Sequence, residues 1–149
     1  MFVNSDLTDL LSRFNARDVR YLVVGGYAVV QHAEPRFTND LDLFVGADTR
    51  NAVAVFHALR DFGAPLAGLA ASDFQVEGYF YRMGTPPSRV DILMGIPGVS
   101  FDPAWQRRME VDFDSLLVPF ISREDLIEAK RASGRPQDLL DVESLLRGR

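Results

Sequence analysis

The chain has 149 residues, 47% of them hydrophobic, with a formal charge of −5 and a pI near 4.9. That length supports one sizeable core in a single domain, 1–149, with little left for a second, and the acidic balance excludes nonspecific coating of nucleic acid, which rests on a broad excess of Lys and Arg. Cysteine is absent and His32 and His57 are the only histidines, so disulfides and thiolate metal sites are excluded, a histidine-built zinc site is disfavoured, and any metal must sit on oxygen ligands as Mg²⁺ or Mn²⁺ would.

In chain order, Leu7, Leu10, Leu11 and Phe14 recur at helical spacing, which predicts an amphipathic helix from about Asp6 to Ala16. Tyr21 to Val24 is a short apolar run ending at Gly25 and Gly26, a strand leading into a tight turn. Tyr27 to His32 predicts a short helix stopped near Pro35. Asp40 to Val45 alternates charged and apolar residues, as a strand with one buried face does. A second long helix is expected from Asp48 to Phe62, ended by Gly63 and Pro65. Val76 to Met83 and Arg89 to Met94 predict two strands about the Thr85-Pro86-Pro87 turn, and Asp102-Pro103 predicts the start of a short helix to Arg108. A strand or two from Val111 to Val118 precede a pair of C-terminal helices, the first opened by Ser122 and Asp125 and the two separated by Gly134 and Pro136. The order is mixed α and β. No apolar run reaches the roughly 18 residues of a membrane span, and the first residues lack a signal peptide's charge and apolar core, so a cytoplasmic protein without membrane contact is expected.

The chemistry concentrates in the second strand. Side chains two apart share a strand face, so Asp40 and Asp42 project side by side while Leu41, Leu43 and Val45 enter the core. Two adjacent carboxylates repel unless a divalent cation lies between them, which suits metal-assisted phosphoryl chemistry; a solvated strand face is the plain alternative. Gly25-Gly26, at the mouth of a short helix, could hold a triphosphate on backbone N–H groups, or simply form a turn. Asp112-Phe113-Asp114 also spells Asp-x-Asp but lacks a preceding Gly-Gly and falls near a hairpin turn. Arg36 and Thr38, just before Asp40, could clamp phosphate or orient an aspartate; a surface arginine and a β-forming threonine are equally consistent.

Val24-Gly25-Gly26, thirteen residues from Tyr27 to Asn39, and Asp40-Leu41-Asp42-Leu43 together resemble the signature of the DNA polymerase β-like nucleotidyltransferase superfamily. The resemblance implies an α+β fold with a mixed sheet flanked by helices. It also implies a third carboxylate from a later strand, a role that Asp91 in Arg89-Val90-Asp91-Ile92-Leu93 fits. Gly26 stands where many members have Ser, so a hydroxyl contact to phosphate is absent. The Arg-Phe-Thr-Asn-Asp run from Arg36 to Asp40 is common to one branch of that superfamily.

Lys130 is the chain's one lysine. Counting about 100° per residue puts Lys130 on the apolar stripe of its helix, near ~40° from Leu126, and Asp138 within the buried arc of the last one. Buried charges need partners, so the two are expected to pair or to face a polar cavity. An ordinary structural ion pair would satisfy this. Functionally, Lys130 would reach nucleotide phosphates and Asp138 would position it. The run from Leu126 through Lys130 to Arg135-Pro136-x-Asp138-x-x-Asp141 is similar to a C-terminal motif of small toxin-like and abortive-infection-type nucleotidyltransferases.

What the resemblance implies is a Mg²⁺-dependent transfer of a nucleoside monophosphate from an NTP to a hydroxyl. Asp40, Asp42 and Asp91 would hold the metal, and Asp91 could take the proton. The acceptor stays open among a protein, a tRNA end and a small molecule held at a homodimer interface, because polymerases and antibiotic-modifying relatives usually add a substrate-holding domain. A toxin with a cognate antitoxin fits the resemblance, as does a nonenzymatic nucleotide-binding module that keeps the fold.

Overall fold

A computed structural model describes residues 5–33, 35, 38, 40–113 and 115–148. The first helix, α1 (Ser5–Ala16), buries Leu7, Leu10, Leu11 and Phe14, the stripe its periodicity predicts. It leads into β1 (Tyr21–Val24), all four residues of which are buried, and Phe14 meets Tyr21 edge to face at 5.4 Å. Helix α2 (Gly25–His32) starts directly at the glycines, two residues before its expected start. Strand β2 (Asp40–Val45) has the expected bounds, with Leu41, Leu43 and Val45 fully buried.

Helix α3 (Thr49–Phe62) is closed at both ends by local chemistry. The Asp48 carboxylate accepts from the Asn51 N–H, and Gly63 takes a left-handed φ of 93° at the C-cap. A 3-10 turn (Ala71–Gln75) then buries Phe74 against Phe56 and Tyr81, an element with no periodic signal in the sequence. Strand β3 (Phe80–Met83) is shorter than expected, because residues 76–79 form a turn around Gly78. Strand β4 (Arg89–Leu93) follows.

Helix α4 (Phe101–Gln106) begins before Asp102-Pro103, with Ser100 at the N-cap. Phe101 draws the start back: its ring packs edge-on to Phe44 at 5.2 Å and stacks on Trp105 at 5.8 Å. Strands β5 (Met109–Phe113) and β6 (Leu116–Phe120) form a hairpin. Helix α5 (Arg123–Ser133) is capped by the Ser122 hydroxyl, which accepts from the Asp125 N–H, and α6 (Pro136–Arg147) opens on proline.

Among the described residues the strands form one six-stranded mixed sheet in the order β3-β4-β2-β1-β6-β5. β1 is antiparallel to β2 and parallel to β6, and β2 is parallel to β4. Helices α1 and α3 pack together, while α2 packs against β2 and against the α5–α6 pair. No helix among the described residues is long and apolar enough to cross a membrane.

Candidate active site

Three strands bring the acidic residues together. In the parallel β2–β4 ladder Asp42 lies directly opposite Asp91 and Asp40 opposite Arg89, so the carboxylates of two separate strands share one face. In the β1–β2 ladder Val24, the last residue of β1, is the partner of Asp42. Helix α2 therefore begins beside Asp42, and Val24 at its N-cap offers no side-chain acceptor to the first turn. Gly25 is required at this junction twice over. Its φ is +65°, and a Cβ built there would run into the Asp42 carboxylate.

Two arginines complete the face. Arg82, opposite Asp91 on β3, donates to both its oxygens, Nε to Oδ1 at 2.7 Å and Nη2 to Oδ2 at 3.0 Å. Arg89 does the same to Asp40, at 2.9 and 2.6 Å. No described residue donates a hydrogen bond to Asp42 in this way. Its pKa is pushed up to about 7, first by burial and then by the charges of Asp91 and Asp40, partly offset by Lys130 and Arg82. Tyr27 on α2 is also raised, by burial and then by Asp40. Among the described residues the face thus carries three carboxylates against two guanidiniums, and Asp42 is the one to which neither guanidinium donates.

This donor set suits a hard divalent cation in its chemistry, being all carboxylate oxygen with one charge unmatched. Among the described residues, however, no group of three or more acidic or histidine side chains is already arranged around a cation position. In this state Arg82 and Arg89 each donate to both oxygens of one carboxylate, Asp91 and Asp40 respectively.

The C-terminal helix pair forms a second charged cluster. Lys130 Nζ lies 3.3 Å from Asp138 and 3.0 Å from Asp141, both aspartates almost fully buried. Arg135 Nε donates to Asp138 at 2.8 Å and its backbone N–H at 3.2 Å. Burial alone would raise the Asp138 pKa, but hydrogen bonds from Arg135 and Ser133 and the charge of Lys130 hold it at about 2. Lys130 is thus held by two aspartates, and what reaches the acidic face is its charge, which Asp42 senses.

The remaining candidates are placed unevenly. The Thr38 hydroxyl donates to the backbone carbonyl of Asp40 at 3.3 Å and not to its carboxylate. Arg36 lies outside the described residues, as does Asp114 of the second Asp-x-Asp. Asp112 sits on edge strand β5, separated from β2 by β6 and β1. Sequence reasoning gave no role to Arg82, Arg89 or Asp141. The Arg89-x-Asp91 spacing carries a signal, because both residues share a strand face.

A search among curated proteins gives no sequence match. Solved structures that share the architecture include two nucleotidyltransferase-type proteins. One is the lincosamide antibiotic adenylyltransferase LnuA in its lincomycin-bound form, with a TM-score of 0.55 and 18% identity, covering 97% of this chain and 96% of that one. The other is an antigenic nucleotidyltransferase-like protein from Paracoccidioides brasiliensis, with a TM-score of 0.55 and 15% identity, covering 93% and 72%. At these identities the likeness establishes the fold alone, a mixed α+β architecture shared with nucleotidyltransferase structures. Residues 3–146 match the family described as nucleotidyltransferase of unknown function (DUF6036), and the chain belongs to that family of nucleotidyltransferases.

Proposed function

We propose that the protein transfers the nucleoside monophosphate of an NTP, with ATP as the first donor to try, to a hydroxyl of a small molecule. The observation that carries this reading is the register that sets Asp42 against Asp91 beside Asp40, at the start of α2, in a nucleotidyltransferase family member. Asp40, Asp42 and Asp91 would hold Mg²⁺ or Mn²⁺, which supplies positive charge to offset that developing on the phosphoryl and leaving oxygens. The N–H groups of Gly25 and Gly26 bind phosphate oxygens, aided by the helix dipole. The acceptor oxygen bonds to the α-phosphorus, the bond from that phosphorus to the bridging oxygen breaks, pyrophosphate leaves, and the Asp91 carboxylate takes the hydroxyl proton. Lys130, fixed by Asp138 and Asp141, adds positive potential on the phosphate side.

Preference for a small molecule is supported by the extent of the match to LnuA: that protein, crystallised with lincomycin, is covered over 96% of its chain by this one, so an acceptor of that kind does not call for the added substrate-holding domain usual among polymerases and antibiotic-modifying relatives. Transfer to a protein or a tRNA end would instead suit a toxin restrained by a cognate antitoxin. The test is to incubate the protein with each α-labelled NTP and Mg²⁺, first with hydroxylated antibiotics and metabolites, then with tRNA and cell protein. Label should move to a small molecule, and Asp42→Asn should abolish it. Unchanged transfer by Asp42→Asn would sink the assignment, and label on tRNA or protein would replace the acceptor class.

A further inference from the structure

We infer that Arg82 and Arg89 exchange partners during substrate binding: in the empty protein they hold Asp91 and Asp40, and when a metal–NTP complex arrives they leave the carboxylates for its phosphates. The inference rests on the aspartates being the metal-binding set proposed above.

The geometry is selective. Each arginine presents its planar fork to both oxygens of one carboxylate, at 2.6 to 3.0 Å, and the third aspartate of the face receives no such fork from a described residue. A carboxylate held this way has one lone pair on each oxygen engaged and its charge matched by the guanidinium, so a bare cation must compete with the arginine for it. In the Arg82–Asp91 pair the arginine is much the more exposed partner, while Arg89 and Asp40 are about equally exposed, at 31% and 28%. The Arg82 side chain is 49% exposed where that of Asp91 is 10%, and its guanidinium carbon lies 5.5 Å from the centre of the solvent-exposed Phe80 ring. Both arginines carry a firm positive charge, raised by hydrogen bonding to their aspartates.

A simple surface ion pair across two strands would need no further account, since such pairs contribute little. Here, however, two forks close two of three carboxylates on one face. A free divalent ion entering that face would strand two guanidiniums without anions. A metal bound to a triphosphate brings phosphate oxygens for them, and a guanidinium fork matches phosphate as well as it matches carboxylate. Metal and nucleotide therefore bind with positive coupling, and by linkage each strengthens the other by the same factor.

The experiment is calorimetric titration with Mn²⁺ alone, and with Mn²⁺ plus an ATP analogue whose α–β bridge cannot be cleaved. It compares the wild type, Arg82→Gln/Arg89→Gln and Asp42→Asn. The wild type should bind Mn²⁺ about tenfold or more tighter with the analogue present than without it. The double glutamine variant should bind free Mn²⁺ about tenfold tighter than the wild type and the Mn²⁺–analogue complex about tenfold weaker. Unchanged or weaker binding of free Mn²⁺ by that variant overturns the exchange. If it does not fold, Arg82→Lys/Arg89→Lys keeps the charges without the forks and should show the same gain in reduced size; no gain there also overturns it. The Asp42→Asn arm separates the two levels. Loss of Mn²⁺–analogue binding there, with no arginine effect, removes the exchange alone, whereas wild-type binding by Asp42→Asn removes the metal-site reading and the exchange with it.

Discussion

Two of the molecule's aspartate clusters are treated in opposite ways. At the α5–α6 junction Asp138 receives the backbone N–H and the guanidinium of Arg135 and the ammonium of Lys130, and its pKa sits at about 2. On the β2–β4 face Asp42 lies between Asp40 and Asp91, the nearby arginines go to its neighbours, and its pKa rises to about 7. Residue type is shared and both side chains lose solvent, Asp138 almost completely and Asp42 in part; the supply of donors differs. A saturated carboxylate fastens two helices together, and nothing further is asked of it. An unsaturated one favours taking up positive charge, whether a proton or a metal cation.

The sharpest way to break this contrast is to neutralise one aspartate from each place. Asp42→Asn removes a group to which no described arginine is forked, so nucleotidyl transfer should fall on the order of a thousandfold while thermal stability at neutral pH holds or rises. Asp138→Ala should do the reverse. It strips Lys130 and Arg135 of a buried partner and should cost about 3 kcal/mol in urea unfolding, with a smaller loss of transfer. If Asp42→Asn destabilised as much as Asp138→Ala, the distinction between the two clusters would fail.

Two glycines extend the comparison at lower amplitude. Gly25 at the acidic face and Gly134 at the C-cap of α5 have nearly the same φ, +65° and +66°. Alanine at either position carries the strain of a left-handed residue, about 1–2 kcal/mol. At Gly134 the nearest atom to a new Cβ is the Arg131 carbonyl oxygen, at an ordinary 3.6 Å, whereas at Gly25 it is the Asp42 carboxylate, in collision. Gly25→Ala should therefore lower both stability and nucleotide affinity, and Gly134→Ala stability alone. Parallel denaturation and nucleotide titration of the two variants check this.

Much of this was legible in the sequence, for identifiable reasons. Alternation in Asp40-Leu41-Asp42-Leu43 settles which side chains share a face, because a strand has a period of two. Counting around α5 and α6 put Lys130 and Asp138 on buried sides, and they pair. Arg82 was not legible, because its place opposite Asp91 depends on how the 84–88 turn sets the β3–β4 register, and only the folded turn, with Gly84 at φ +77°, decides that. Nor was the start of α4, where aromatic packing of Phe101 on Phe44 and Trp105 outweighs the local signal of Asp102-Pro103. Local periodicity is written in neighbours along the chain, while register and packing are written in residues far apart.

The smallest effect is also the most diagnostic, since the two aspartates should bend the pH dependence of stability in opposite directions. Asp42 has a native pKa of about 7, above the unfolded value near 4. The native state then binds the proton more tightly, so its contribution is fully present below about pH 4 and is lost as pH rises through 7. Asp138, at about 2, has its native value below the unfolded one, so its contribution is present above about pH 4 and is lost as pH falls toward 2. With a chelator present, the gap in Tm between Asp42→Asn and the wild type should shift by a few degrees in favour of the variant from pH 5 to pH 8. The gap between the wild type and Asp138→Asn should close by a similar amount from pH 5 to pH 3. Saturating Mg²⁺ should flatten the first trend, because a bound cation competes with the proton for Asp42, and leave the second untouched. Parallel profiles for all three proteins would mean that the two carboxylates differ in neither charge balance nor purpose.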